Sequence, residues 1–187
     1  MKMSDLGPPT QTKRPWKKRA FWSWKYIPVE RRSSYQWGAI LLWSILMFFF
    51  FQRYVVGVGI VQDRSMFPTL REGSTYLINK YIYQFTSPKR GDIVLLWPYR
   101  YATEQYVKRV IACSGDTLSI KNGHVSINGT FLPEPYTVGL TYPEREPFPI
   151  KKGFYFVMGD NRRESEDSRT FGSIPLENIA GKIDVGG

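Results

Sequence analysis

At 187 residues with 16% aromatic residues, 16 Gly and 13 Pro, the chain has room for one domain and a short appendage, in a composition that suits strands and turns better than a helical bundle. Its net charge of +10 is uneven: residues 1–36 carry nine Lys/Arg against two acids, the remainder seventeen against fourteen, so the excess is a basic block beside an apolar run and not a uniformly basic nucleic-acid-binding surface. Cys113 and His124 are single representatives of their types, which excludes an intrachain disulfide and a Cys- or His-built metal cluster; neither cofactor nor metal is expected, Cys113 reads as a core residue and His124 as a hairpin residue.

The first element is apolar. Residues 37–51 (WGAILLWSILMFFFF) hold no charge, and as a helix they would cover about 22 Å of a hydrocarbon core roughly 30 Å thick. Extension to residues 35–54 reaches about 30 Å, with Arg53 able to snorkel and Tyr and Trp near the ends as interfacial anchors. The expected organisation is therefore a basic cytoplasmic tail over 1–34, a transmembrane helix over 35–54, and an extracytoplasmic β-rich domain over 55–187. A cleaved secretory signal is the competing reading, since Gly57-Val58-Gly59 offers small residues after the run; the long basic region fits a retained anchor better. A buried core helix fits worse, because four consecutive Phe leave no polar face.

Beyond the span, β-branched and aromatic runs predict strands at 54–61, 74–79, 92–97, 105–113, 117–120, 125–127 and 153–158. Turn signals separate them at Lys89-Arg90-Gly91-Asp92, Ser114-Gly115-Asp116, Asn122-Gly123 and Asn128-Gly129. Arg90-Gly91-Asp92 leads straight into an apolar strand and reads as a strand-entry turn, not an adhesion tripeptide. Asn128-Gly129-Thr130 fits a glycosylation acceptor but is first a hairpin turn. Residues 132–149 are Pro-rich and read as a surface excursion, so that about 114–152 forms a hairpin with an excursion inside the larger domain.

Three segments carry candidate chemistry. Ser65-Met66-Phe67-Pro68-Thr69-Leu70 follows the first strand, where a rigid Pro and an apolar flank could fix one hydroxyl; alone, such a serine more often satisfies local backbone. In Tyr106-Val107-Lys108-Arg109-Val110-Ile111, strand alternation puts Tyr106, Lys108 and Val110 on one face and Val107, Arg109 and Ile111 on the other. A lysine amine directed into an apolar layer loses its proton more readily and can serve as a base; an edge lysine guarding against aggregation is the plainer alternative. The third is the polar run from Gly159-Asp160-Asn161-Arg162 through Ser165-Glu166-Asp167-Ser168-Arg169, whose spacing departs from a calcium loop and whose arginines oppose a cation. Its carboxylates and hydroxyls could orient a lysine and brace the loop.

In this order these segments resemble the type I signal peptidases of bacteria and organelles, over residues 35–181. Ser65-Met66-Phe67-Pro68-Thr69-Leu70 is similar to the nucleophile segment of that family, Arg90-Gly91-Asp92-Ile93-Val94 to its next strand, Tyr106-Val107-Lys108-Arg109-Val110 to its lysine strand, and the run from Gly159 to Arg169 to its closing signature. The resemblance implies a mainly β, antiparallel-sheet catalytic domain after one transmembrane helix, and a membrane-bound serine endopeptidase that removes signal peptides from exported preproteins through an acyl-enzyme. It implies Ser65 as nucleophile, Lys108 as general base, Ser165 as the residue that orients the lysine, and Met66 as a pocket residue. Asp160, Arg109, Asp167 and Arg169 become structural supports. The Ser65 backbone amide is the expected oxyanion donor; the second donor is unassigned, because Asp63 stands two places before the nucleophile where many members have a small hydroxyl residue, and an ionised carboxylate repels an oxyanion.

The expected partners are exported preproteins and the lipid bilayer, in a bacterial plasma membrane, with no nucleic acid and no assigned oligomeric state. The rival readings are a specialised Ser–Lys peptidase for pilus or conjugation precursors, a self-cleaving regulator, and a catalytically silent tethered binding protein. Retention of both Ser65 and Lys108 argues against the last.

Overall fold

The computed structural model describes the backbone of residues 29–54 and 56–184 and the side chains of residues 35–50 and 56–184. The chain falls into two compact units, Met1–Ile45 and Leu46–Gly187. A 26-residue helix, α1 (Val29–Tyr54), starts ahead of the span expected from residue 35 and stops at its expected end. Its described side chains are exposed throughout, including Trp37, Leu41, Trp43 and Phe49. Among the described residues no helix is long and apolar enough to cross a membrane. Most of the basic tail lies outside the described residues.

The rest is mainly antiparallel β structure. The strands are β1 (Val56–Ile60), β2 (Thr75–Asn79), β3 (Ile93–Leu96), β4 (Tyr106–Ala112), β5 (Thr117–Lys121), β6 (His124–Ile127), β7 (Thr130–Phe131), β8 (Arg145–Pro149), β9 (Phe154–Met158), β10 (Ile174–Pro175) and β11 (Ile179–Asp184), with a four-residue helix α2 (Ser168–Phe171) between β9 and β10. Among the described residues they form a seven-stranded sheet, β1-β2-β11-β3-β4-β9-β10, and a four-stranded sheet, β7-β6-β5-β8. Every pairing within the two sheets is antiparallel.

Each face of the large sheet has its own core, and β3 shows why. Its four residues are all apolar and all buried, and alternation divides them. Ile93 and Leu95 join Val61, Met66, Leu70, Tyr76, Ile78 and Ile183 beneath the nucleophile segment, whereas Val94 and Leu96 join Val110, Tyr155, Val157, Ile174 and Ile179. A register shift between Val110 and Ala112 in the β4–β9 pairing lets the end of β4 serve a third core. There Ile111 and Ala112, with Phe156 of β9, pack against Leu118, Ile120, Val125 and Ile127 of the smaller sheet. One strand thus holds the catalytic-lysine candidate and joins the two sheets.

The Asn-Gly expectations rest on clear geometry. Asn122 and Gly123 have φ of 52° and 78°, and Asn128 and Gly129 have φ of 55° and 78°, the left-handed pairs that two-residue hairpin turns demand. They connect β5 to β6 and β6 to β7. His124 lies beside the first turn, exposed and edge-on to Phe131 at 5.5 Å, in keeping with a hairpin residue. Cys113 is only half-buried, its thiol 3.6 Å from the Pro88 carbonyl, so it flanks the core and does not fill it. The excursion over 132–149 ends in β8, which pairs with β5. The expected strand at 54–61 is shortened by α1, which runs through Tyr54.

Candidate active site

Four segments that are distant in sequence meet at Ser65. The turn after β1 carries Asp63, Arg64 and Ser65; β4 carries Lys108 and Arg109; the loop after β9 carries Asp160 and Asn161; and the approach to α2 carries Ser165 and Asp167. Met66, fully buried in the core under the sheet, and Leu70, whose amide donates to the Met66 carbonyl at 2.9 Å, pin the nucleophile segment from below. From above, the Asn161 amide donates to the Ser65 carbonyl at 2.9 Å, and its side-chain amide donates to the Arg64 carbonyl at 3.2 Å. The Ser65 backbone is therefore held on both sides.

Gly159 makes this approach possible. A Cβ there would collide with the Ser165 hydroxyl and the Ser65 carbonyl oxygen. Any side chain would push the loop after β9 off the serine.

The Lys108 amine is 2.7 Å from the Ser65 hydroxyl oxygen. Lys108 is 1% exposed and Ser65 3%. Burial pulls the lysine pKa below its ordinary value, because an ammonium out of water has lost its hydration. The nearby carboxylates of Asp63, Asp167 and Glu166 pull it partly back up, and Arg169 opposes them. The Tyr106 ring, 5.3 Å from the amine, supplies the apolar wall that strand alternation predicts on that face.

The acids of the loop are occupied elsewhere. Asp160, fully buried, accepts from Arg109 Nε at 2.8 Å and from Arg109 Nη2 at 2.7 Å, and the Thr69 hydroxyl also donates to it. Arg109 further donates to the Gly91 carbonyl at 2.9 Å and stacks over Tyr136 at 4.0 Å. Asp167, also fully buried, accepts from Arg169 Nε and Nη2, both at 2.8 Å, from the Gly159 amide at 3.1 Å and from the Ser165 hydroxyl at 2.8 Å. It also caps α2 by accepting the Arg169 amide at 3.1 Å. Each buried carboxylate is thus neutralised by a bidentate arginine.

The candidate residues are therefore grouped, with two departures. The Ser165 hydroxyl donates to Asp167 and not to the lysine, so in this arrangement it reaches Lys108 only through the loop it braces. The Ser65 amide donates to Asp63 Oδ1 at 2.9 Å, so the expected oxyanion donor is occupied. The same oxygen accepts the Ser65 hydroxyl at 2.8 Å.

Two residues escaped the sequence reading. Arg162, buried, donates to Glu134 with both terminal nitrogens, to the Thr141 hydroxyl and, from Nε, to the Gly159 carbonyl at 3.1 Å. Glu134 lies in the Pro-rich excursion, so this pair fastens that excursion to the catalytic loop. The only sequence signal was an acid between prolines, Pro133-Glu134-Pro135, where a purely solvated loop needs none.

A groove of about 810 Å³ next to the site is lined by residues 59–63 and 103–107, with Met66 and Tyr76 also in its wall. Met66, next to Ser65 in the chain, is among the residues that line this groove.

A fixed hydroxyl with a desolvated amine in hydrogen-bond reach, beside a groove, is an arrangement suited to serine-type hydrolysis. Comparison with known proteins identifies which kind. A family profile described as signal peptidase, peptidase S26, matches residues 34–186. Signal peptidase I P of Bacillus subtilis subsp. natto is 34% identical over 163 residues, covering 81% of this chain and 87% of that protein. Signal peptidase I T of Bacillus subtilis (strain 168) is also 34% identical, over 158 residues, covering 78% and 81%. A crystal structure of a signal peptidase I from Enterococcus faecalis V583 matches with a TM-score of 0.44 at 28% identity, covering 53% of this chain and 98% of that one. The chain belongs to the signal peptidase family, peptidase S26. It is a serine peptidase, and its activity is the removal of signal peptides from preproteins.

Proposed function

We propose that cleavage runs through Ser65 and Lys108 alone, with no histidine and no metal. The observation that carries this is the 2.7 Å contact between a buried amine and a buried hydroxyl. The neutral Lys108 amine takes the Ser65 proton as Oγ attacks the scissile carbonyl; the C–N bond then breaks, and the resulting ammonium returns its proton to the leaving amine. That step leaves the signal peptide as an ester on Ser65. Water, deprotonated by the same amine, then attacks the ester; the C–O bond to Ser65 breaks, the ammonium returns its proton to Oγ, and the signal peptide is freed. Ser165, Asp167 and Arg169 shape the loop beside the amine, while Arg109 and Asp160 fix the strand and the turn that carry the pair. The groove receives the signal-peptide side of the substrate as an extended chain, with Met66 against its last residues.

We further infer that α1 is the single membrane crossing, with the basic tail in the cytoplasm and the peptidase domain outside the plasma membrane of a bacterium. The described stretch 35–50 falls short of a span by itself; support comes from its exposed apolar side chains, from the continuation of the apolar sequence to Phe51 within a 26-residue helix, and from the Lys/Arg excess before it. Ser65 follows Tyr54 by about a dozen residues, a reach of at most roughly 40 Å, so the nucleophile stays close to the surface where a signal peptide ends. Tethering enzyme and substrate to one bilayer raises their effective concentration.

The test is cleavage of a preprotein in detergent, with the cut mapped by mass spectrometry. Ser65→Ala and Lys108→Ala should each abolish it in folded protein; activity in either variant would refute the pair. For topology, Cys113→Ser removes the native thiol, and single cysteines placed in the tail and at exposed Tyr101 should react with an impermeant maleimide only from the inside and only from the outside, respectively.

A further inference from the structure

We propose that Asp63 is a plug of the resting active site: its carboxylate occupies the oxyanion position on the Ser65 amide and holds the Ser65 proton away from Lys108, and a substrate carbonyl must displace it before attack. This rests on the Ser65–Lys108 reading and goes beyond it.

The geometry is specific. One oxygen, Asp63 Oδ1, accepts both the Ser65 amide at 2.9 Å and the Ser65 hydroxyl at 2.8 Å. A serine hydroxyl has one proton to give. While that proton points at Asp63, it does not point at the lysine nitrogen 2.7 Å away, and the lysine meets Oγ through one of its own N–H groups, as a donor and not as the acceptor a base must be. The resting arrangement therefore runs from amine N–H to hydroxyl to carboxylate, with the hydroxyl polarised in the direction opposite to the one attack requires. The amide is blocked at the same time, because a carbonyl oxygen that becomes an oxyanion needs that donor and cannot share it with a carboxylate.

The plug is built to leave. Asp63 is exposed, unlike Ser65 and Lys108, so its carboxylate can return to water by side-chain rotation. It also lines the groove, so a peptide lying there comes against it. Substrate entry and unplugging are then one event, and a nucleophile without substrate stays unactivated beside the membrane.

Asp63 acts on the lysine as well. The charged and titratable groups facing the Lys108 amine are Asp63 from the turn after β1, Glu166 and Asp167 from the approach to α2, Arg169 from α2, and Tyr106 from its own strand. Asp63 itself also faces Tyr76 of β2, whose hydroxyl is pushed up first by burial and then by this carboxylate. Among the acids facing the amine, Asp63 contributes most to keeping the proton on Lys108. Removing its charge lowers the lysine pKa further, so the neutral base appears at lower pH.

The experiment measures kcat/KM for a preprotein against pH, using the full chain in detergent, for wild type, Asp63→Ala and Asp63→Asn. Asp63→Ala should raise kcat/KM roughly tenfold, the worth of one charge-assisted hydrogen bond, and should move the acid limb of the profile to lower pH. Asp63→Asn keeps an acceptor oxygen for the amide but drops the charge, so it should move the acid limb with a smaller gain in rate. A folded Asp63→Ala protein whose kcat/KM is unchanged or lower, or whose acid limb stays in place or rises, overturns the plug. Adding Ser65→Ala to Asp63→Ala separates the two readings: surviving activity would overturn the serine–lysine pair, whereas its loss leaves the plug judged by the single variants.

Discussion

Lys108 and Arg109 are neighbours on β4, both basic and both buried, yet their surroundings are opposites. Arg109 is saturated: a bidentate carboxylate, a carbonyl, a hydroxyl and an aromatic face account for its guanidinium. Lys108 has a hydroxyl and an aromatic ring, and Asp167, a buried carboxylate of the loop, is already taken by Arg169. Strand alternation aims the two side chains into different company. The comparison teaches that burial alone does not make a functional residue. A paired buried cation braces the fold, and an unpaired one becomes a base.

Exchanging the two roles gives the largest expected effects. Lys108→Met keeps the length and removes the amine, so cleavage should fall by at least about a hundredfold, the usual worth of a general base, while the protein stays folded; a preprotein assay beside a melting curve checks both. Arg109→Met should act through stability instead. It leaves Asp160 buried without its partner, a loss of about 3–5 kcal/mol by denaturant unfolding. The double variant Arg109→Met, Asp160→Leu should recover much of that loss, since it removes both charges.

The pH dependence of stability sharpens the same contrast. Because the folded pKa of Lys108 lies below its unfolded value, the unfolded chain binds more protons in the window between the two, and the lysine costs stability that returns as pH rises through that window. Lys108→Met should therefore melt higher than wild type at neutral pH, with the gap closing as the pH approaches the ordinary lysine value of 10.5. The smallest effect belongs to the exposed pair Lys121–Glu146, whose side chains are 57% and 82% exposed. Lys121→Ala should change stability by no more than about 0.5 kcal/mol and leave cleavage untouched.

What could be read from the sequence followed the range of the interactions. The Asn122-Gly123 hairpin, the apolar strand at β3 and the two faces of β4 depend on neighbours in the chain, and periodicity and turn chemistry disclose them. The insertion of β11 between β2 and β3 was not legible, because it joins residues about a hundred positions apart at one side and depends on sheet topology, not on local preference. β8 was hidden for another reason: Pro147 and Pro149 mark it as non-strand, yet it forms an edge of the smaller sheet, where missing amide donors are tolerated. In the site, the residue types of the serine turn, the lysine strand and the acidic loop carried the resemblance. Their pairing could not be deduced from spacing. That Arg109 takes Asp160 is settled only when segments 51 residues apart meet, whereas Asp63–Ser65 and Asp167–Arg169 lie two residues apart and were hidden because spacing does not fix which way a side chain turns.

The claim that Lys108 is the base for Ser65 is tested most directly by the pH profile of kcat/KM for preprotein cleavage, measured for wild type on a substrate without titrating groups near its cut site. Activity should rise with pH as one proton leaves a group whose pKa lies below the lysine value of 10.5, and Lys108→Arg, folded but unable to lose its proton, should be inactive at every pH. A profile with no such limb, or cleavage by Lys108→Arg, would contradict the account.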